Sequence, residues 1–237
     1  MKIDKRRAAF VLICVFGLIE ALLWVDILWL GVYTVAAEYT SIVLAFAVSL
    51  VFIGKKPENY TIQTGLLFTC AADFFLVISD PVEKEPAMTA FLITQTAYCA
   101  FICFNGGKIF NIVHLVLRLF LSAVIVIVTA AIVKDKFDYL SAVSMIYYVN
   151  LIINAVCALC LFKRMPFFGI GLILFILCDT VIGLNVAIGS YIFADESSLL
   201  FIISHSPFNW AWAFYLPSQF FIAVSAAVGR IKSEKRA

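Results

Sequence analysis

Two aspartates sit in apolar stretches of this 237-residue chain, where a carboxyl group is costly. Gly65-Leu-Leu-Phe-Thr-Cys-Ala-Ala-Asp73 and Gly171-Leu-Ile-Leu-Phe-Ile-Leu-Cys-Asp179 each place an aspartate eight residues after a glycine. The stretches that follow also match, Phe91-Leu-Ile-Thr-Gln95 beside Tyr215-Leu-Pro-Ser-Gln219, so each copy offers an Asp and then a Gln. A carboxyl pair can divide acid and base roles. One group, still protonated, delivers a proton, while the other, ionised, stabilises positive charge or directs water. Free aspartate ionises near pH ~3.9; burial and a second carboxylate are the influences that keep such a group protonated near neutrality. Reactions passing through an oxocarbenium ion, such as glycoside hydrolysis, use this division of labour. Gln95 and Gln219 would orient the carboxyls or the water. The structural alternative is that each aspartate is protonated, bonded to Gln95, Gln219 or a backbone carbonyl, and serves as glue between helices.

Other candidates surround this pair. Glu20 is near the middle of an apolar run and is a possible third acid, whereas Asp26 falls near a membrane surface and is expected to be solvated. Tyr147, Asn150 and Asn154 recur at helical spacing with Tyr148 beside them, either lining the same cavity or bonding a neighbouring helix. Tyr98, three residues beyond Gln95, joins the candidates for orienting a substrate. Arg118 is expected to snorkel to the headgroups, and Trp210, Trp212 and Tyr215 read as an interfacial belt. The seven cysteines all lie in apolar runs, and Cys157-Ala-Leu-Cys160, despite its spacing, reads as small-residue packing. With only His114 and His205 available, no histidine-rich metal site is expected, and the chemistry calls for neither metal nor organic cofactor.

The elements that must position these residues are transmembrane helices. Hydrophobic residues make up 64% of the chain and the mean hydropathy is +1.06, beyond what a water-soluble domain buries. In lipid only helices and closed barrels satisfy their own backbone, and these runs are continuous, not alternating, which selects an all-α polytopic fold. Runs of about 20 residues, enough to cross ~30 Å of hydrocarbon, fall at Ala8–Trp29, Thr40–Ile53, Tyr60–Ile78, Met88–Phe104, Ile112–Val133, Tyr139–Phe162, Phe167–Ala187 and Phe208–Val228. The second is short, with room to extend back toward Val35. A longer link, Ile188–Pro207, carries Asp195, Glu196 and His205 and has room for a short surface helix.

Charge orients these eight spans. Lys2, Lys5, Arg6 and Arg7 precede the first, Lys55, Lys56, Lys108, Lys163 and Arg164 fill alternate loops, and Arg230, Lys232, Lys235 and Arg236 close the chain. The opposite loops hold only Lys84, Lys134 and Lys136, each beside acidic residues. The positive-inside rule therefore predicts cytoplasmic termini and an even number of spans. Glu20 and Asp26 interrupt the first run, so it reads as a retained helix and not a cleaved signal. No basic patch suggests nucleic acid; the expected partner is a membrane lipid or lysolipid, with the oligomeric state left open. The matching stretches suggest a single membrane domain built of two four-helix halves, 1–106 and 107–237, related by an axis along the membrane normal. At 1.5 Å per residue Asp73 and Asp179 would both lie roughly 20 Å above the start of their spans, at similar height.

These motifs resemble the YhhN family of membrane proteins. The resemblance rests on Gly65–Leu76 ending in Ala71-Ala72-Asp73-Phe74-Phe75-Leu76, on Leu174–Asp179, and on Tyr215–Ala226 with Gln219, and it covers about Val35 to Val228. Animal members of that family are lysoplasmalogenases. The resemblance thus implies hydrolysis of the vinyl-ether bond of a lysoplasmalogen to a fatty aldehyde and a glycerophospho-alcohol, with Asp73 and Asp179 on the two acidic positions, in an eight-span protein of a bacterial plasma membrane. There are departures. The family's Ala-His-x-x-Tyr pattern is replaced by Thr94-Gln95-Thr96-Ala97-Tyr98, and its Lys-Pro opening the second span is absent, with Glu38-Tyr39-Thr40 nearby. A non-catalytic lipid-binding member of the fold and a proton-coupled transporter are the competing readings. A retinal protein is disfavoured because no lysine lies deep in a span.

Overall fold

The computed structural model describes residues 5–32, 34–53, 58–190 and 208–234, and every regular element among them is helical. The helices are α1 (Lys5–Val25), α2 (Thr34–Val51), α3 (Glu58–Asp73), α4 (Lys84–Asn105), α5 (Lys108–Val133), α6 (Tyr139–Cys160), α7 (Pro166–Ser190) and α8 (Trp210–Glu234). All eight are long and apolar enough to cross a membrane, so the protein is a multi-pass integral membrane protein. Lys2, Lys55, Lys56, Lys235 and Arg236, and the Asp195, Glu196 and His205 of the long link, lie outside the described residues.

The third span ends at Ile78 as the sequence predicts, because α3 runs on through a wider turn, Phe74–Ile78, in which the Ser79 N–H reaches back five residues to the Phe74 carbonyl at 2.9 Å. A similar turn, Asp26–Leu30, closes α1; Gly31 ends it at φ 64°, a left-handed value suited to glycine. The second span extends back past Val35, as its shortness suggested: α2 begins at Thr34 and ends at Val51, with Glu38 buried inside the helix. α4 likewise opens earlier than Met88, and Pro86 falls in its first turn, where the missing N–H has no intrahelical partner to lose. Asp138 caps α6, accepting from the Ser141 N–H at 2.8 Å and its hydroxyl at 2.6 Å; these bonds hold its carboxyl below the usual range.

Small residues let helices close on one another. On Gly65 of α3 a Cβ atom would stand 2.1 Å from the ring of Tyr98 on α4, and on Gly171 of α7 it would stand 2.7 Å from Ile222 on α8. Tyr98 and Ile222 each follow the matched Phe91 and Tyr215 by seven residues, so the two helix pairs meet through corresponding positions. The Gly65 carbonyl also accepts from the hydroxyls of Thr69 and Thr94, both at 3.1 Å.

Pro217 interrupts α8, and its absent N–H leaves the Ala213 carbonyl without its helical partner. The Trp24 indole N–H of α1 donates to that carbonyl at 3.3 Å. Beside this contact α1 and α8 enclose a groove of about 270 Å³ lined by Gly17, Glu20, Trp24, Leu216 and Phe220, among others.

Arg118 does not snorkel. It faces inward from α5, 8% exposed, and donates to the side-chain carbonyls of Asn150 and, at 2.7 Å, Asn154, both on α6. Its position ten residues from the start of α5 puts it about 15 Å along the axis, and the two amides one turn apart make an inward bond better than a stretch to the surface.

Candidate functional site

Asp73 is the residue at which α3 widens into its irregular turn, a place where helices commonly carry function. Its carboxyl is 3% exposed, and its Oδ2 accepts a 2.6 Å hydrogen bond from the hydroxyl of Tyr215 on α8. Asp179, on α7 and half-buried, has the corresponding partner: the Tyr147 hydroxyl of α6 donates to its Oδ2. The second oxygen of each carboxyl makes no hydrogen bond among the described residues. Asp73 lies within electrostatic reach of Asp179, and the two tyrosines and the Cys178 thiol fall in the same neighbourhood.

Packed rings join the two halves of this arrangement. Tyr215 meets Phe175 edge-on with ring centroids 5.3 Å apart, Phe175 meets Phe91 at 5.9 Å, and Phe91 stacks on Tyr147 at 5.4 Å. All four rings are buried. Phe91 occupies the position in its segment that Tyr215 occupies in the other, so the matched sites use their donors differently. α8 supplies its own hydroxyl, whereas at α4 the ring carries none and the neighbouring α6 supplies Tyr147.

The other candidate residues divide between this centre and separate contacts. Gln95 and Gln219 are fully buried, yet neither orients a carboxyl. Gln95 accepts from the Asn154 amide at 2.9 Å through its side-chain and backbone oxygens, and Gln219 donates to the Ser218 hydroxyl at 3.4 Å. Tyr215 belongs to the carboxyl centre and not to an interfacial belt, because α8 turns it inward between Phe175 and Trp212. Asn154 and Asn150 hold Arg118, so of the polar stripe on α6 only Tyr147 reaches an acid. Tyr148 pairs with the Thr180 hydroxyl at 2.8 Å, next to Asp179 but bonded to the helix. Tyr98 is buried over Gly65, about 12 Å along α3 from Asp73. Glu20 is bonded by the Ser41 hydroxyl at 2.6 Å and lines the α1–α8 groove.

The acid that does approach is Glu38. It is 8% exposed on α2, within electrostatic reach of Asp73, and makes no hydrogen bond or ion pair among the described residues. The signal for it was a glutamate just upstream of a span too short to cross. For Tyr215 the signal was its alignment with Phe91, since a hydroxyl present in only one of two matched segments marks a divergence. Among the described residues no three His, Cys, Asp or Glu side chains are grouped to hold a metal ion.

The fold and centre define a class: a helical membrane protein with paired intramembrane carboxyls, each held by a tyrosine from a different helix. The chain belongs to the YhhN family, whose model matches residues 33–226, from the start of α2 to the aspartate-linked helix α8. No curated protein and no solved structure matches it.

Proposed function

We propose that the protein is a lysoplasmalogenase-like membrane hydrolase that cleaves the vinyl-ether bond of a lysolipid, with Asp73 and Asp179 as its acid–base pair. The observation carrying this reading is the pairing itself: two carboxyls close enough to interact, each fixed through one oxygen by a buried tyrosine and each with a second oxygen unengaged. Vinyl-ether hydrolysis needs this arrangement. One carboxyl transfers its proton to the vinyl carbon β to the ether oxygen, which leaves an oxocarbenium ion at the carbon bearing oxygen. The other, ionised, lowers the energy of that cation and takes a proton from the water that adds to it. The hemiacetal so formed collapses to aldehyde and alcohol, with one water consumed. The tyrosines fix the carboxyl planes, and the aromatic rings between them exclude bulk water from the cation.

By the same reading the termini are cytoplasmic, the membrane is a bacterial plasma membrane, and the chain is one domain whose halves, 1–106 and 107–237, are copies of a four-helix unit. The correspondence of the Gly65–Tyr98 and Gly171–Ile222 contacts supports the last point. A second reading, a non-catalytic lipid-binding member, draws on Gln95, which replaces the family's histidine and is engaged with Asn154.

Aldehyde release from a lysoplasmenyl lipid by purified protein, compared with Asp73→Asn and Asp179→Asn, separates them. Activity in the parent and in neither variant is expected. Folded protein that binds lysolipid but releases no aldehyde would leave the lipid-binding reading standing; proton flux coupled to a solute would replace both with a transporter.

A further inference from the structure

The groove between α1 and α8 holds a carboxyl that the proposed reaction does not use. Glu20 lines the groove and is 5% exposed. Its Oε2 accepts from the Ser41 hydroxyl at 2.6 Å, while Oε1 is buried with no hydrogen-bond partner among the described residues. Glu20 stands ten residues from Leu30 and thirteen from Arg7, the ends of its span, which places it about 15 Å from one end and about 20 Å from the other. A carboxyl at mid-membrane with an idle oxygen is costly, and such a residue marks function.

The surroundings narrow the ligand. The remaining lining is apolar except for the Trp24 indole, whose N–H is already given to the Ala213 carbonyl that Pro217 leaves free. No lysine or arginine lines the groove to receive a phosphate or a carboxylate. Ala21 at its rim is exposed between the exposed Leu18 and Leu22, so the groove opens sideways onto lipid chains. An alkyl chain suits these walls, but the chain of a phospholipid brings no polar group for Oε1. The phosphate of such a lipid stays at the surface, about 15 Å away, and keeps its glycerol oxygens there. The ligand must therefore carry an uncharged polar group into the hydrocarbon. A hydroxyl does so at far less cost than a charged head, and it donates to a carboxylate or accepts from a carboxylic acid alike. The last torsion of a glutamate is broad and two-fold, so the idle oxygen can turn to a group that enters the groove.

We propose that the α1–α8 groove binds an uncharged long-chain alcohol. Its chain lies along Gly17, Ala21 and Phe220, and its hydroxyl pairs with Glu20. Such binding requires no hydrolase activity.

The test photolabels the purified full chain in lipid nanodiscs with hexadecanol carrying a diazirine in its chain, and maps the labelled peptides. Label falls on α1 and α8 beside the groove. Unlabelled hexadecanol displaces it about fivefold more effectively than heptadecane, which matches its length without the oxygen; that is the size of one net hydrogen bond. Glu20→Leu removes the advantage of the alcohol, while Glu20→Gln, whose amide still meets a hydroxyl, keeps part of it. Ala21→Phe fills the groove from its rim and abolishes label on these peptides with Glu20 intact. Equal displacement by alcohol and alkane in the wild-type protein overturns the inference even if the variants do not fold. An advantage that survives Glu20→Leu overturns it, as does label confined to other helices. Displacement by hexadecanoate or by a lysophospholipid that exceeds displacement by hexadecanol overturns the assignment of an uncharged alcohol.

Discussion

Replacing Tyr215 with phenylalanine isolates one bond in the proposed mechanism. The substitution installs at α8 the residue that already occupies the matched position on α4, Phe91, so the ring keeps its edge contacts with Phe175 and Trp212. Only the 2.6 Å hydrogen bond to Asp73 is lost, and the carboxyl, 3% exposed, has little water to replace it. A net bond to a neutral group contributes about 0.5–1.5 kcal/mol and one to a charged group about 1.5–3 kcal/mol. If that energy is realised in the transition state and not in the ground state, turnover falls by roughly 2- to 12-fold for a carboxyl that stays neutral, and by roughly 12- to 150-fold for one that must be ionised. The size of the loss therefore reports which role Asp73 plays. Aldehyde release per folded molecule is the assay, with Tyr147→Phe measured in parallel for Asp179. Opposite sizes for the two substitutions are expected, since the pair divides acid and base roles. Full activity in both variants would refute the claim that these hydroxyls position the carboxyls.

Other outcomes follow from the packing. Gly65→Ala drives a methyl into the Tyr98 ring and should lower stability by about 1–3 kcal/mol, while Gly183→Ala, which meets nothing within 4 Å, should leave the melting temperature unchanged; thermal unfolding in detergent compares them. Arg118→Leu should destabilise by about 3 kcal/mol or more, since two charge-assisted bonds to Asn150 and Asn154 are lost, whereas a headgroup-seeking arginine would tolerate leucine. Asp138→Ala should lower the melting temperature at neutral pH and have no effect in acid. The capped carboxyl has its folded-state pKa lowered, so its contribution is present above the unfolded carboxylate range and disappears as pH falls through the folded value.

The limits of sequence reading are visible in particular residues. The span Tyr60–Ile78, and the presence of one aspartate inside it and another inside the seventh span, could be read from length and composition, since the bilayer imposes a run length and a cost on every charge. The partners of those aspartates could not. Tyr215 lies 142 positions from Asp73, and whether it turns inward depends on how α8 is rotated against α3 and α7, which apolar sequence on nearly every face leaves undetermined. Arg118 was misplaced for the same reason: its amide partners are on another helix, and snorkelling is the default only when no inward partner exists. Tyr147 was found as a member of a helical stripe because its spacing to Asn150 and Asn154 is local, although the acid it serves was not.

The pairing of Arg118 with Asn150 and Asn154 also bears on how the chain enters its membrane. α5 is the most apolar of the eight spans, with Ile109, Val116, Phe120, Ile127 and Ile132 turned outward, yet it carries a guanidinium well inside its length. An arginine near the centre of a lone helix costs about 2.5–3.5 kcal/mol during insertion, and both of its partners reside on the segment made next. The amides of α6 arrive only after α5 has left the ribosome, across a link of a few residues. The two helices are therefore expected to partition into lipid as a hairpin, the surplus of apolar side chains on α5 carrying its arginine until α6 closes over it.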